Sequence, residues 1–267
     1  MGNTDPVISY LKSYGYSSIR LPKADIHPLQ ILLRQGNTYD RLGDLATVLV
    51  PGATVTIPKL LENQQAANIN GQQSGNLKFG VGLSLLGNII GAMGGSKLGL
   101  DVAYQQAKFI SFEFTDVLED KVEIAALDQF LTDADVNPNS RYVTQMLEAD
   151  RIYVTTAVIK SKVFTVQSKQ SQSTSVALDV PVIQQAVGAN VKVSQDSTLD
   201  SKIHFEGSIP LAFGFQAVRL FYDDGRYTTL DPEKAGGAAM KALGQIPDDN
   251  RVRLLTESPF VGLKDID

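Results

Sequence analysis

The sequence reads as an α+β chain in which alternating strands dominate and short amphipathic helices lie between them. Three observations carry this. Leu77, Phe79, Val81, Leu83 and Leu85 alternate with Lys78, two glycines and Ser84, and alternation returns at Leu98, Leu100, Val102 and Tyr104. That is the period of strands with one apolar face. Ile203, Phe205, Ile209, Leu211, Phe213 and Phe215 share a second alternating face. Val117, Val122, Ile124, Leu127 and Phe130 instead follow a helical distribution, as do Tyr142, Met146 and Leu147.

In chain order, Asp5-Pro6 begins a short helix over Val7, Ile8, Leu11 and Tyr14 that Gly15 ends. Ser17 to Leu21 is expected as the first strand, stopped by Pro22. The His27-Pro28 step leads into Leu29, Ile31 and Leu32, an edge strand or turn-strand unit in which His27 packs or lies at the surface. Gln35-Gly36-Asn37 is turn-prone, Asp40 to Val50 is another apolar unit, and Pro51-Gly52 turns the chain again. Ala53 to Leu61 is expected as a strand, and the polar run from Glu62 to Asn76 as an exposed loop or frayed helix.

The stretch from Phe79 to Ser96 contains no charged side chain, although Lys and Arg number 24 and Asp and Glu 29. Its centre places Gly87, Gly91 and Gly95 four apart. A helix through Leu86 to Gly94 would carry a glycine stripe, with Leu86, Ile89, Ile90 and Met93 around the rest. Each such glycine costs a helix about 1 kcal/mol relative to alanine in water. That penalty fits a site that is tightly packed or that rearranges. A buried short helix at rest and a membrane-active role on activation are compatible, because one conformation can store what another exposes.

Beyond it, Ile110, Phe112 and Phe114 continue the alternation, Pro138 marks a turn, and Ile152 to Phe164 is a strand. A second long excursion follows. Gln167 to Ser175 is a polar tip, Val176 to Val193 mixes short apolar steps, and Gln195 to Lys202 is another polar tip before the Ile203 to Phe215 face. Membrane β-strands need only about 9–11 residues with one apolar face, so both excursions are long enough, although soluble sheets alternate in the same way.

Composition removes other classes. The net charge of -5, with scattered Lys and Arg, argues against nucleic acid as a partner. The absence of cysteine removes disulfides and thiolate chemistry. No HExxH, Walker loop or zinc-ligand spacing occurs, so neither a metal, a cofactor nor a catalytic residue is expected. Asp223-Asp224-Gly225 is a hairpin turn, not a calcium loop. Glu119, Asp120, Glu123 and Asp128 read as a solvated helix face. The first residues lack the pattern of a secretory signal, and Pro6 stands where a myristoylation motif wants Ser or Thr. At the other end a small-residue helix, Glu233 to Leu243, gives way to turn-forming Gly244 and Pro247 to Asn250. Leu254, Leu255, Phe260, Val261 and Leu263 then supply an apolar tail suited to packing back on a sheet.

Taken together, these features resemble the bacterial gasdermins. The resemblance is strongest from Asp5 to Leu49, DPVISYLKSYGYSSIRLPKADIHPLQILLRQGNTYDRLGDLATVL. It is supported by the glycine-rich Phe79 to Leu100 segment, the Val163 to Phe215 excursion and the short tail after Gly244. It implies a twisted antiparallel sheet with peripheral helices and an autoinhibited monomer. Residues 1–243 would be the pore-forming domain and 244–267 a cleavable linker and inhibitory tail. A caspase-like or trypsin-like protease would cut after Leu243, Arg251, Arg253 or Leu254, loosening Leu255, Phe260, Val261 and Leu263. The freed chain would move from cytoplasm to inner membrane, engage lipids and self-associate into a large pore that kills the infected cell in antiphage defence. Inserting residues would be Leu77, Phe79, Val81, Leu83, Leu85, Leu98, Leu100, Val102, Phe205, Ile209, Leu211 and Phe213, with Gly87, Gly91 and Gly95 allowing the rearrangement. Many bacterial members carry a lipidated N-terminal cysteine. Asn3 and Thr4 occupy that neighbourhood here, so lipid anchoring is not carried over. The alternative is a protein-binding module whose apolar segments stay in the core.

Overall fold

The computed structural model describes residues 11, 14–35, 38–66, 69–74, 82–96, 99–104, 106–107, 109–169, 178–232 and 263–265. In chain order the elements are β1 (Ser17–Lys23), β2 (Gln30–Gln35), β3 (Thr38–Asp44), α1 (Leu45–Val48), β4 (Leu49–Val50), β5 (Leu60–Gln65) and β6 (Ile69–Ser74). Then come α2 (Gly82–Ala92), α3 (Leu100–Ala103), β7 (Phe109–Thr115), β8 (Leu118–Val122), α4 (Ile124–Asp133), β9 (Asp135–Val136) and α5 (Arg141–Glu148). The series closes with β10 (Ile152–Lys169), α6 (Val180–Val187), β11 (Lys192–Gln195), β12 (Lys202–Asp223), β13 (Arg226–Pro232) and β14 (Leu263–Asp265).

Two long strands form the spine of one sheet: β10, of 18 residues, pairs antiparallel along its length with β12, of 22. No other described strand reaches so far, so their neighbours change along the spine. At one end β2 joins β10 and β13 joins β12; in the middle β8 joins β10 and β1 joins β12; at the far end β7 joins β10 and β11 joins β12. β5 and β6 extend the sheet outward from β8 and β7. Helices α4 and α5 bury Leu127, Phe130, Leu131 and Leu147 against one end of this sheet. At the far end α2 buries Leu86, Ile89, Ile90 and Met93.

Several expectations from the sequence are corrected. Leu83 and Leu85 lie in α2, and Leu100 and Val102 in α3, rather than in alternating strands. The three- and four-residue spacing of Leu86, Ile89, Ile90 and Met93 buries a whole helical face, and that burial outweighs the strand period of the same stretch. Leu77, Phe79, Val81 and Leu98 lie outside the described residues. β1 runs through Pro22, tolerated because β1 pairs with β12 alone and its register shifts between Ser18 and Lys23. β2 is no edge, since it lies between β10 and β3.

Residues 53–59 form no strand. There the backbone N–H groups of Thr54 and Val55 donate to the Asp133 carboxylate at 3.1 and 2.8 Å, so a side chain replaces a strand partner. The polar run after Leu61 is instead two edge strands, β5 and β6; exposed edges favour polar residues that discourage pairing with another chain. Leu118 to Val122 is strand before the helix begins at Ile124. Ser161 and Val163 face Leu211 and Glu206, so Gly207, Ser208, Ile209 and Pro210 bulge opposite Lys162. This turns Ile209 out to 51% exposure while Phe205 and Leu211 stay buried. A further shift between Ile159 and Lys160 sends Phe213 and Phe215 into different clusters. The expected Asp224-Gly225 turn is present, with φ of +48° and +73°.

Candidate functional site

Strands β6 and β7 form an antiparallel pair from Ile69 opposite Phe114 to Ser74 opposite Phe109. Their connection, residues 75–108, carries α2 and α3. Strands β10 and β12 form a second pair, which reaches its end at Gln167 opposite Lys202. Its connection, 170–201, carries α6 and β11. Because Lys169 is itself opposite Phe109, both connections leave adjacent strands at the same end of the sheet.

Across β7, β10, β12 and β11, the two faces of this patch differ in chemistry. One cross-strand row runs Phe114, Phe164, Phe205, Val193, all buried. Phe164 stacks on Phe205 at 4.8 Å and Phe114 on Phe213 at 4.3 Å. The next row runs Glu113, Thr165, His204, Ser194 and is polar. Beside it stand the Lys202–Glu113 and Lys162–Glu206 ion pairs, at 3.6 and 3.3 Å. Alternation therefore gives the patch an apolar face and a polar face. Helix α2 covers the apolar one.

Thr165 Oγ1, His204 Nδ1 and Nε2, and Asp196 Oδ2 line up at 2.8 and 3.3 Å. The order is that of a nucleophile, base and orienting carboxylate. Thr165, however, is 1% exposed within the central strand, so no substrate reaches its hydroxyl and the row acts as a cross-strand strut. No group of metal-ligating side chains occurs among the described residues.

Within the first excursion, Gly87 is buried, Gly91 is exposed with open space where a Cβ would stand, and Gly95 N donates to Ile90 O at 2.8 Å to close the helix end. Val102 is 58% exposed, and Tyr104 is fully buried with its hydroxyl lacking a partner. Sequence reading missed α6, although Asp179 accepts from Val182 N at 3.2 Å and Pro181 stands in the first turn, a legible start signal.

Of the tail, Leu263–Asp265 is described. As β14 it lies parallel to β3, with Leu263 opposite Tyr39, Lys264 opposite Asp40 and Asp265 opposite Arg41. It adds a strand to an otherwise open edge. Leu243, Arg251, Arg253, Leu254, Leu255, Phe260 and Val261 lie outside the described residues. Among the described residues no helix is long and apolar enough to cross a membrane, a statement that does not bear on strands.

A twisted antiparallel sheet with helices folded over one apolar face, and two hairpins ending in long connections, defines a gasdermin-like fold. The model of the Bacterial Gasdermin Family matches residues 19–226. A gasdermin bGSDM of a Desulfuromonadales bacterium is 56% identical, covering 97% of each chain, and one from Lysobacter enzymogenes is 43% identical, covering 91% of this chain and 90% of that one. The solved bacterial gasdermin from Bradyrhizobium tropiciagri has the same fold at 17% identity, with a TM-score of 0.59 over 99% of this chain and 98% of that one. The chain belongs to the bacterial gasdermin family of non-catalytic, pore-forming proteins.

Proposed function

We propose that this gasdermin rests in the cytoplasm as an autoinhibited monomer, that proteolysis between Leu243 and Leu255 frees the tail that follows the cut, and that the released chains assemble into a bacterial inner-membrane pore. The bonds after Arg251 and Arg253 suit a trypsin-like protease, those after Leu243 and Leu254 require a caspase-like enzyme that accepts leucine, and death of a phage-infected cell is the outcome. The observation that supports this most is the shared end of the two hairpins. If residues 75–108 and 170–201 abandon their helices, β6, β7, β10 and β12 lengthen side by side into two membrane-spanning hairpins. Each connection supplies roughly 16 residues per arm, more than the ~9–11 a spanning strand needs. The Phe114, Phe164, Phe205 face then meets lipid and the Glu113, Thr165, His204 face meets water.

The tail strand supports the latch. While β14 occupies the edge of β3, the sheet is fixed at the end opposite the excursions. Even one well-buried large side chain contributes about 1.5–3 kcal/mol, so a short tail can bias a two-state equilibrium. An orthogonal protease site placed within Gly244 to Asn250 tests this by liposome dye release. Release only after cutting is the expected result. Complete cutting with tail dissociation but no release, across several lipid compositions, rejects it.

A further inference from the structure

The two excursions touch each other as well as the sheet. Asn190, between α6 and β11, donates from Nδ2 to the Gly94 carbonyl just beyond α2, at 2.9 Å. Gly94 has φ +82°, and a Cβ there would stand 3.2 Å from the same amide nitrogen. A few residues on, Gly99 has φ +87°, and its missing Cβ would lie 3.6 Å from the Cβ of Ala186 on α6. Both junctions depend on glycine conformations that bring backbone close to the other excursion.

Asn190 is itself held in place. Gln184 Nε2 donates to the carbonyls of Gly188 and Val191 at 2.7 and 3.0 Å, and its Oε1 accepts from Val193 N at 2.9 Å. One side chain thus closes the turn that carries Asn190. Across the helix end, the Met93 side chain fills the space that a Cβ on Gly207 would take, within 3.0 Å of it. The end of α2 is therefore the meeting point of the first excursion, the second excursion and the β12 bulge.

We propose that this junction interlocks the two excursions, with Asn190 as the bolt and Gln184 as the residue that positions it, so that both release together. Straightening α2 into a strand pulls the Gly94 carbonyl away from Asn190; straightening α6 and its turn pulls Asn190 away from Gly94. Neither movement is independent of the other. This deepens the pore-forming reading and rests on it for the membrane step. Concerted release also has a physical advantage, because a lone two-stranded hairpin in lipid leaves unpaired backbone edges that four adjacent strands reduce.

The cysteine-free chain allows a clean test. Gly94→Cys with Asn190→Cys creates one possible disulfide, and the ideal Cβ at Gly94 lies 3.5 Å from Asn190 Cβ, within the range of about 3.5–4.5 Å that the bond accepts. In a chain carrying the orthogonal cleavage site, the cut and oxidised protein is expected to release liposome dye no faster than the uncut one, with reductant restoring release. Fully cross-linked protein that leaks at the reduced rate overturns the interlock. Because cysteine strains the backbone at Gly94, Asn190→Asp serves as a second variant. It sets a carboxylate against the carbonyl, and limited proteolysis of the uncut chain should then nick both 82–104 and 178–195 sooner. Earlier nicking of 178–195 with 82–104 unchanged also overturns it. If the cut wild-type chain never leaks, the pore reading fails, and the proteolysis result still decides the interlock.

Discussion

Tyr16 ties the start of the described chain to the middle of the sheet. Its hydroxyl donates to Glu119 Oε1, and Glu119 also accepts from Lys121 Nζ at 2.8 Å. Next to it Asp120, buried on β8, accepts from Lys160 Nζ at 2.5 Å and from Asn63 N at 2.7 Å. These carboxylates stand on a strand and tie it to β5, to β10 and to Tyr16 just ahead of β1, not on a solvated helix face. Spacing alone does not distinguish the two, because the cross-strand partners are distant in sequence. Burial, the hydrogen bond and the charge of Glu119, in that order, push the Tyr16 hydroxyl well above its usual range. The folded state therefore keeps Tyr16 neutral where the unfolded chain ionises. Its contribution is complete below about pH 10 and declines as pH rises beyond that. Tyr16→Phe is expected to cost about 1.5–3 kcal/mol at neutral pH, the range for a hydrogen bond to a charged group. It should also flatten the alkaline loss of stability. Urea unfolding from pH 7 to 11 measures both, and an unchanged alkaline slope contradicts the assignment.

Among the elements, β12 separates what the sequence makes legible from what it hides. Its alternation gives the strand and its apolar face, but the bulge at Gly207 to Pro210 puts Ile209 outside. Pro210 and Gly207 are the only local signals for that break, and they leave the register undetermined. The α2 region shows the same limit: both a strand period and a helix period are present, and packing of Leu86, Ile89, Ile90 and Met93 on the sheet chooses the helix. By contrast, β10, α5 and the Asp224-Gly225 turn are legible because one strong local pattern has no competitor. Ile209 also offers a substitution that separates folding from insertion. As an exposed residue it should change stability by no more than about 0.5 kcal/mol when replaced by Asp. On the lipid-facing side of a spanning strand Arg or Lys costs ~2–4 kcal/mol at mid-membrane and Asp somewhat less, with the cost falling toward the interfaces. Ile209→Asp in the cut protein should therefore retain the wild-type unfolding midpoint and lose dye release. Full release by a normally folded variant removes Ile209 from the inserting face.

At the scale of the whole molecule, the resting sheet and the proposed pore have opposite demands on strand edges. At rest β5 and β6 close the sheet with polar residues, β5 carries a register shift between Leu61 and Gln64, and β14 covers β3. Each device discourages pairing with another chain. Extending β6, β7, β10 and β12 creates two new edges along the added length, where no such protection stands. In water those edges are solvated, but in lipid each unpaired backbone group costs several kcal/mol. Four strands cannot close on themselves around a wide opening, so a second copy must supply the partner strand and a third the next. Association should thus follow insertion and be negligible before it. Chemical cross-linking with sedimentation is expected to give monomer for the intact chain and for the cut chain held without lipid. Cut protein on liposomes should form rings or arcs visible by electron microscopy. Adding the Gly94–Asn190 disulfide should abolish the rings along with the leakage, because both hairpins are needed to present two complementary edges. Sustained leakage from membrane-bound monomers would mean that one chain satisfies its own edges, and the closure argument would fail.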